Sequence, residues 1–542
     1  MDVLYWTIVG PIKLLLLVLQ GLLWLARAPG KYRRYRRRKG GSHGSAKWAG
    51  RLHQVWHGAV RGQGVILGRG AFGRLLRFSQ DGMIMVFATM GAGKGLGVVI
   101  PNLLSYRGSM VVTDPKGENF AITRRRRAEL GQVWMLNPTD PAHSERFNPL
   151  DIVRQGTPNE SDDAEALASL MVASEADGRE KHWDRKAVSL MKALILHTLH
   201  EPDASRNLAT VRRLSVGSKE TFIATMQEIA EHSPSLAAQE IASGALTSAV
   251  DADGKFSEEF SSILSNLQKG TEQWSAGAPA GVLSSSSTFT LNDLTTQVST
   301  LYLCVDEDVL EVYGPWLRVM VGCVLKTLTR AKSAPPKRKV VLLLDEVAVL
   351  GRLEPLERQA GLLRAYCTPV LIWQNLPQVQ KVYQDGAAAF LSNASARLFF
   401  GVNDNDTGDY VARMLGPGTS MSSSTGTSQA TGQWSRENRQ DGLSESGYPL
   451  LDSAEVQRLP LTRIIAKMRH VPYPLFGRRL DYRKVWRWKG KWDRWTGSRP
   501  QGFTRPPAHG PGPSVVQSNR VTVEAPLLPT DQNRSAPQPG AL

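Results

Sequence analysis

Short apolar runs bounded by glycine and aspartate dominate the chain from Gly68 onwards. The first of them reads GRLLRFSQDGMIMVFATM, which predicts two strands joined at residues 80–82, the second ending at a glycine-rich loop. A helical run, LGVVIPNLLSY, follows that loop, and the next apolar runs, SMVVTD and GQVWMLNP, predict two further strands. Strands that alternate with helices in this way indicate a parallel α/β sheet.

Between residues 155 and 292 the pattern changes to a polar sequence rich in Ala, Leu and Ser, which predicts an all-helical insertion. Its clearest helical spacing joins Trp183, Ala187, Leu190, Met191, Leu194 and Thr198. Strand candidates then return as STLYLCV, VVLLLDE, PVLIWQN and ARLFFGV, and the first three are typical of strands buried on both sheet faces. The predicted fold class is α/β, with a mostly parallel sheet, helices on both faces and an inserted all-α domain.

The amino-terminal segment predicts one transmembrane helix. Residues 3–26 are almost wholly apolar and long enough to cross a hydrocarbon layer of about 30 Å. Basic residues without an acid follow directly, so the positive-inside tendency puts the bulk of the chain in the cytoplasm and the N-terminus outside it. These basic residues are Arg27, Lys31, Arg33, Arg34, Arg36, Arg37, Arg38 and Lys39. The alternative, a cleaved signal peptide, needs basic charge before the apolar core, where only Met1 and Asp2 stand.

Composition narrows the range of partners and of cysteine chemistry. The 542 residues carry 66 Lys and Arg against 49 Asp and Glu, a net charge of +17 that favours nucleic acid or an anionic membrane surface. The basic residues after the predicted span account for part of it and leave +9 for the rest. The three cysteines, Cys304, Cys323 and Cys367, form no C-x-x-C pair, which excludes a disulfide framework and favours a reducing compartment.

The glycine-rich loop after the second predicted strand is the first candidate for chemistry. It reads ATMGAGKG over residues 88–95, between a strand and a helix, where backbone N–H groups and a helix N-terminus hold phosphates. Lys94 is then expected to reach the β and γ phosphates. Relative to G-x-x-x-x-G-K-[ST], Ala88 replaces the first glycine and Gly95 replaces the hydroxyl that normally ligates Mg²⁺. A glycine-rich turn with an exposed lysine is the alternative. The candidate nucleotide-binding residues are Thr89, Met90, Gly91, Ala92, Gly93, Lys94, Gly95 and Leu96.

The run VVLLLDE supports the interpretation of the loop as a nucleotide-binding site, because it puts two acids at the carboxyl end of a buried strand. Asp345 is predicted to hold Mg²⁺, directly or through water, and Glu346 to orient and deprotonate the attacking water. An isolated strand ending in Asp-Glu is more often a solvated edge. Together with Lys94 on the far side of the helical insertion, the two acids predict a single triphosphate pocket.

Two further residues extend this candidate site. Gln374 ends the strand PVLIWQ, where its amide would sense the γ phosphate, although a strand-end glutamine with a purely local role is an equal alternative. Arg364, in the sequence LLRAY, is a candidate arginine finger donated to a neighbouring subunit, and the alternative is an ordinary surface arginine.

These residues together resemble a known family. The blocks MGAGKGLGVVIPNLL, VVTDPKGENF, HWDRKA, VVLLLDEVAVLGRLEPLE, LIWQNLPQVQKVY, SNASARLFFGVNDNDTGDYVARMLG and VQRLPLTRIIAKMRHVPYPLFGRRLDY are similar in kind and order to the TraG-like coupling ATPases of bacterial type IV secretion and conjugation. The similarity runs from about residue 60 to 485. In that family a glycine after the loop lysine is frequent, so other groups complete the metal's coordination.

The resemblance implies a membrane-anchored hexameric ATPase at the cytoplasmic mouth of a secretion channel in the inner membrane. It implies a P-loop nucleotide domain akin to recombinases and DNA translocases, ATP and Mg²⁺ as ligands, and a helical domain that meets DNA or a protein substrate. Family members usually carry two N-terminal spans, whereas this chain has room for one.

The predicted organisation follows from these patterns. It comprises a transmembrane helix at 1–28, a basic linker at 29–59, a nucleotide-binding domain at 60–154 and 293–485, an all-α insertion at 155–292, and a basic, Trp-rich and Pro-rich end at 486–542. Residues 1–39 are expected to contact membrane lipids. A mobile loop is expected at 419–442 and a disordered tail from about 497.

Weaker patterns leave alternatives open. The sequence WRWKGKWDRW at 486–495 either stacks on single-stranded bases or docks on the nucleotide domain. The arginines at 124–127 are expected to form a solvated helix face. No H-E-x-x-H motif appears, and no G-x-S-x-G sequence stands between a predicted strand and a predicted helix, so a zinc peptidase or a serine hydrolase is not supported.

Three functions therefore compete. The preferred hypothesis is a coupling ATPase that feeds relaxosome DNA or effector proteins to a type IV secretion channel. The alternatives are a stand-alone DNA-translocating motor and a membrane-tethered adaptor that binds nucleotide without hydrolysing it.

Overall fold

A large sheet forms the centre of the computed structural model, which describes residues 44–172, 179–249, 256–428 and 438–497. In these residues the sheet has eleven strands. They are β1 (Val65–Arg69), β2 (Leu75–Phe78), β3 (Met83–Ala88), β4 (Met110–Asp114), β5 (Gln132–Leu136), β6 (Ser299–Cys304), β7 (Val340–Leu344), β8 (Cys367–Trp373), β9 (Ala394–Phe400), β12 (Arg463–Met468) and β13 (Leu475–Arg478).

The strands follow the order β2-β1-β13-β12-β9-β3-β8-β7-β4-β6-β5. From β9 to β5 every neighbouring pair is parallel, whereas the strands from β2 to β12 form an antiparallel edge. In the parallel part, β8 lies between β3 and β7, so the carboxyl ends of these three strands share one edge. The fold is therefore α/β with a large, mostly parallel sheet, as the sequence predicted.

The apolar runs form strands because both faces of the parallel sheet are covered. Every residue of β3, β4, β6, β7 and β8 is buried. Continuous apolar runs of this kind are typical of parallel strands enclosed by helices. The rings of Phe87 and Phe399 stack across β3 and β9 with centroids 5.0 Å apart.

Helices connect and cover the strands. Outside the interval from β5 to β6, the described α-helices are α1 (Arg51–Trp56), α2 (Ile100–Ser105), α3 (Glu118–Ala128), α12 (Gly314–Arg330), α13 (Glu354–Arg358), α14 (Ala360–Leu363), α15 (Leu376–Tyr383), α16 (Ala387–Ser392), α17 (Asn405–Leu415) and α18 (Ser453–Gln457). A π-helical turn, Gly95–Val99, leads directly into α2.

The interval between β5 and β6 contains helices and no strand among the described residues. They are α4 (Glu160–Met171), α5 (Arg179–Thr198), α6 (Leu208–Ser215), α7 (Lys219–His232), α8 (Leu236–Ala249), α9 (Glu258–Thr271), α10 (Pro279–Leu283) and α11 (Asp293–Thr296). Helix α5 packs against α4, α8 and α9, and α4 packs against α12. The α4–α12 contact is close, since a Cβ on Gly322 would lie 2.3 Å from Leu170 Cδ1.

An ion-pair cluster fixes α4 to α12. Asp163 on α4 is 0% exposed, and its carboxylate accepts from Arg154 Nε at 2.7 Å. Arg330 Nη2 and Lys326 Nζ, both on α12, lie 2.5 Å and 3.5 Å from the same carboxylate. Because Asp163 is enclosed, these cations supply the charge compensation that water would otherwise provide.

The structure shows strands on both sides of the predicted loop at 419–442, whose residues 429–437 lie outside the described ones. Strands β10 (Pro417–Ser428) and β11 (Asn438–Pro449) pair antiparallel there, with twelve pairs of partners running from Pro417–Pro449 to Ser428–Asn438. The composition suggested a loop because Ser, Gly and Gln give no apolar period. Cross-strand backbone hydrogen bonds form a ladder without requiring that period.

The run of arginines at 124–127 is only partly a solvated face. Arg127 is 0% exposed, and its guanidinium donates to Thr300 Oγ1 at 2.7 Å and to the carbonyl oxygen of Gly108 at 2.7 Å. Burial lowers the pKa of Arg127 to about 10. The sequence missed this role because the carbonyl acceptors lie at the ends of other elements.

The Trp-rich segment docks on α3. Trp488 is buried, and Trp492 packs edge-on against Tyr482 with centroids 5.2 Å apart. Arg125 Nε donates to Asp493 Oδ1 at 3.0 Å. Trp486, in contrast, is 83% exposed. Of the two alternatives, the structure shows docking for most of this segment.

The predicted anchor lies outside the described residues. Residues 1–43, which include the apolar segment 3–26 and the basic residues after it, are not among them, nor is the tail from residue 498. Within the described part of the chain, the helices are all too short or too polar to cross a bilayer. The three cysteines are buried and form no disulfide with one another.

Candidate functional site

The glycine-rich loop leaves the carboxyl end of β3 and enters the π-helical turn. Gly91 and Gly93 have φ angles of +74° and +84°, a region that residues with a Cβ rarely adopt. Thr89 Oγ1 donates to the carbonyl oxygen of Gly401 at 2.6 Å, and Ala92 N donates to Thr89 O at 3.1 Å. These contacts hold the loop against the end of β9 and turn it into the following helix.

Lys94, the last residue before that turn, meets the two acids at the end of β7. Its ammonium lies 3.1 Å from Asp345 Oδ1 and donates a short hydrogen bond to Glu346 Oε1. The Lys94 side chain is 16% exposed. The structure thus brings together two stretches 252 positions apart, as the sequence predicted.

Gln374 joins this group because β8 lies between β3 and β7. Its Nε2 donates to Glu346 Oε2 at 3.0 Å, while its backbone N–H donates to Gln378 Oε1 at 2.9 Å. Lys94 and Gln374 therefore hold different oxygens of the same Glu346 carboxylate. A change in the position of Glu346 is thereby coupled to both side chains.

The backbone of Asp345 is held from β4. Thr113 Oγ1 accepts from Asp345 N at 2.6 Å and donates to Asp345 O at 2.8 Å. Glu346 itself has a φ of +50°, in the left-handed region. For a residue with a Cβ such a conformation costs about 1–3 kcal/mol and concentrates at functional sites.

Burial and charge set the protonation of the site. Burial opposes the charge on Lys94, but the carboxylates of Asp345 and Glu346 outweigh it and raise the pKa of Lys94. Burial raises the pKa of the Asp345 carboxyl, and the Lys94 charge offsets this only in part. The group is therefore a charged lysine with two carboxyls in a poorly hydrated setting, where electrostatic interactions are strong.

The donor set fits Mg²⁺ held jointly with phosphate. Mg²⁺ is commonly bound through one or two carboxylates, waters and substrate phosphates, and Asp345 is the buried carboxylate at the loop. Within the described ranges, His, Cys, Asp and Glu nowhere gather in threes that would hold a metal ion by themselves. A Cβ on Gly95 would meet nothing within 4 Å, so packing does not exclude a side chain there.

Arg479 is a loop contact that the sequence did not single out. It follows β13, and its Nη1 donates a short hydrogen bond to Ala92 O. A Cβ on Gly93 would lie 1.8 Å from that nitrogen, so a side chain at position 93 would clash with it. Arg478 and Arg479 are adjacent, so the sequence alone does not distinguish them. Only the path of the chain after β13 brings Arg479 to the loop.

The structure does not bring Arg364 to Lys94. Arg364 follows α14, is exposed, and precedes the amino end of β8. It lines a small cavity with Gly82 and Met83, where β3 begins. The seven-residue strand β8 separates this end from Gln374, a length of about 23 Å at 3.3 Å per residue.

Comparison with known proteins gives the family. Residues 41–482 match the family described as type IV secretory system conjugative DNA transfer. This chain belongs to that family. The resemblance inferred from the sequence motifs is therefore confirmed.

Conjugation proteins are also found among the curated relatives of this family member. Protein VirD4 of Agrobacterium fabrum is 30% identical over 455 residues, which cover 81% of this chain and 66% of VirD4. The conjugal transfer protein TraG of Escherichia coli is 27% identical over 408 residues, covering 71% and 63% of the two chains. This chain thus spans slightly less than two thirds of these relatives.

Solved structures of conjugative proteins share the fold. The bacterial conjugative coupling protein TrwBdeltaN70, in an unbound form, matches with a TM-score of 0.60 and 15% identity over 81% of this chain and 94% of its own. TrwB in complex with ADP and Mg²⁺ gives 0.57 and 15% over 82% and 95%. At this level of identity the likeness supports the α/β architecture with its large sheet.

Proposed function

We propose that this protein is an ATP-dependent coupling protein of a type IV secretion or conjugation system. The observation that carries the proposal is the contact of Lys94, on the phosphate loop, with Asp345 and Glu346 at the end of β7. The family match supports the biological setting. TrwB, which shares the fold, has been solved with a non-hydrolysable ATP analogue and with ADP and Mg²⁺.

Nucleotide binding is assigned to the loop 89–96. Its backbone N–H groups and the start of the following helix bind phosphate oxygens, and Lys94 binds the β and γ phosphates. Phosphates compete with Asp345 and Glu346 for the Lys94 ammonium, so binding frees both carboxylates. Asp345, directly or through water, would hold Mg²⁺, which when bound neutralises charge on phosphate oxygens.

Hydrolysis is assigned to Glu346 and Gln374. Once freed from Lys94, Glu346 orients the attacking water and accepts its proton. Gln374 already donates to Glu346 and directly follows β8, the strand between the loop and the acids, where its amide senses the γ phosphate. Hydrolysis therefore changes the partners of Glu346, which is the link between chemistry and movement.

Arg364 is assigned the role of an arginine finger that reaches the nucleotide site of the neighbouring subunit in a homohexamer. It lies at the opposite end of β8 from Gln374, so in one subunit it is remote from Lys94. We expect Arg364→Ala to retain nucleotide affinity and to lose about 10³-fold or more in hydrolysis, as arginine fingers do. Arg358→Ala, an exposed residue paired with Glu354, is the matched control. Normal hydrolysis by Arg364→Ala would remove the finger role.

The membrane setting follows from the sequence. The segment 3–26 anchors the protein in the bacterial inner membrane as a single pass, with the described residues in the cytoplasm. Inner-membrane components of the channel and relaxosome DNA or effector proteins are the partners. The helical region between β5 and β6 is assigned the role of contacting the DNA or protein substrate.

ATP hydrolysis by the full-length protein in detergent, with and without single-stranded DNA, tests the proposed motor. The wild type is expected to hydrolyse ATP faster with DNA, and Lys94→Ala to lose at least about 100-fold. Lys116→Ala, which removes an exposed lysine paired with Glu307, should retain activity.

Substrate transfer that survives Lys94→Ala would instead favour the adaptor. Hydrolysis together with transfer that is independent of any secretion channel would favour a stand-alone motor.

A further inference from the structure

Three large apolar side chains near the start of the described chain face solvent. Leu52 is 78% exposed, Trp56 88% and Phe72 60%. We call these three residues the amino-terminal patch. Leu52 and Trp56 are four positions apart on α1, so they share one face of that helix.

Phe72 belongs to the same surface as α1. The Arg51 guanidinium lies over the Phe72 ring, 5.8 Å from its centroid. Ala71 N donates to Gln54 Oε1 at 2.7 Å, which ties the turn carrying Phe72 to the helix. Gln54 is 5% exposed, so this hydrogen bond is buried beneath the patch and fixes the turn relative to α1.

The backbone at Phe72 is in an unfavourable conformation. Its φ of +54° lies in the left-handed region, which a bulky aromatic residue rarely adopts. The ring at this position is 60% exposed. Such strain at an exposed aromatic is expected where the ring has a partner outside the chain.

The segment that carries the patch has ionic side chains of one sign. Residues 44–80 contain no Asp or Glu, and their cations are Lys47, Arg51, Arg61, Arg69, Arg74 and Arg77. Arg51, Arg61 and Arg74 are exposed. An apolar surface with an aromatic residue and surrounded by cations is typical of segments that lie in the interface of an anionic membrane.

Charge also argues against a second copy of the chain as the partner. Placing the same surface of another molecule on the patch would bring cation against cation, with no acid from residues 44–80 to compensate. Membrane attachment through the proposed span, in contrast, would bring a lipid surface within reach of the patch. The 24 residues from 27 to 50 join the predicted span to α1 and reach at most about 80 Å when extended.

We propose that Leu52, Trp56 and Phe72 insert into the headgroup region of the anionic cytoplasmic leaflet and fix the orientation of the nucleotide-binding sheet relative to the membrane. This rests on the membrane attachment proposed above. The antiparallel edge of the sheet, which β1 and β2 form next to α1, then faces the membrane. Acidic phospholipid headgroups bind the surrounding arginines.

Site-directed fluorescence on the full-length protein tests this docking. The three native cysteines are buried, so a single introduced cysteine can be labelled selectively. Trp56→Cys and Phe72→Cys carry a bimane label, and Leu236→Cys, at a 73% exposed position of the helical region, is the matched control. Each variant is reconstituted into phosphatidylcholine vesicles with and without phosphatidylglycerol and containing a nitroxide-bearing lipid as quencher.

The proposal predicts loss of fluorescence at positions 56 and 72 but not at 236, stronger with phosphatidylglycerol and weaker at high salt. Equal quenching at the three positions would overturn it. So would a label at position 56 that lipid does not quench but that becomes shielded as protein concentration rises, which would show an interface between copies.

Extraction with alkaline carbonate separates this proposal from the predicted span. Protein that resists extraction but shows no quenching at 56 and 72 has the span without the docking surface. Protein that is extracted, yet is quenched at low salt, has the docking surface without the span. The two outcomes are therefore distinguishable.

Discussion

Replacing Glu346 with Gln is expected to lower kcat for ATP hydrolysis roughly 10²–10⁴-fold and to preserve nucleotide binding. The amide keeps the shape of the side chain but cannot accept a proton from water. It also removes one of the two charges that compete with phosphate for Lys94, so binding stays equal or becomes tighter. Steady-state turnover and titration with a fluorescent ATP analogue measure the two effects separately.

The matched control for Glu346 is Glu307→Gln. Glu307 follows β6, and its exposed side chain pairs with Lys116. We expect this variant to hydrolyse ATP as the wild type does. Normal turnover in Glu346→Gln would show that another group takes the proton, and a loss of binding in parallel with turnover would show that Glu346 shapes the site instead.

Replacing Asp163 with Asn is expected to lower the free energy of unfolding by about 3–5 kcal/mol. The substitution leaves the α12 cations and Arg154 around an enclosed side chain that no longer carries charge. Urea denaturation measures the loss. Glu165→Gln, on the same helix with an exposed carboxylate paired to Lys192, is the control and should cost less than about 1 kcal/mol. A loss in Asp163→Asn no larger than in the control would contradict the role of the cluster.

The pH dependence of this effect has a defined sign. Burial acts to raise the pKa of Asp163, but the hydrogen bond from Arg154 and the charge of Arg330 outweigh it and hold the pKa below its ordinary value. The cluster therefore stabilises the fold fully above the unfolded pKa of about 3.9 and loses this effect as pH falls through the folded pKa. The difference between wild type and Asp163→Asn should shrink accordingly in acid.

The strands could be predicted from the sequence because burial on both faces leaves a local signal. The run VVLLL is wholly buried as β7, and the strand puts Asp345 and Glu346, which follow it, at the same edge as the loop after β3. The motif order then sufficed to pair Lys94 with these acids. Each of these inferences depends on a pattern within one short stretch or on the parallel arrangement of the sheet.

Contacts that depend on where distant segments pass each other could not be predicted. Arg479 reaches Ala92 O across 387 positions, and Arg127 is buried because carbonyl oxygens from other elements surround it. The sequences of β10 and β11 lack the alternation of apolar residues by which a strand pair could be predicted. Composition therefore indicated a loop, and the arginine run indicated a solvated face.

The most direct test of the account is a structure of full-length Glu346→Gln with ATP and Mg²⁺. We expect the γ phosphate within hydrogen-bonding distance of Lys94 Nζ, Asp345 at the metal directly or through one water, and residue 346 no longer bound to Lys94. A nucleotide bound elsewhere, with Lys94 still joined to Asp345, would contradict it.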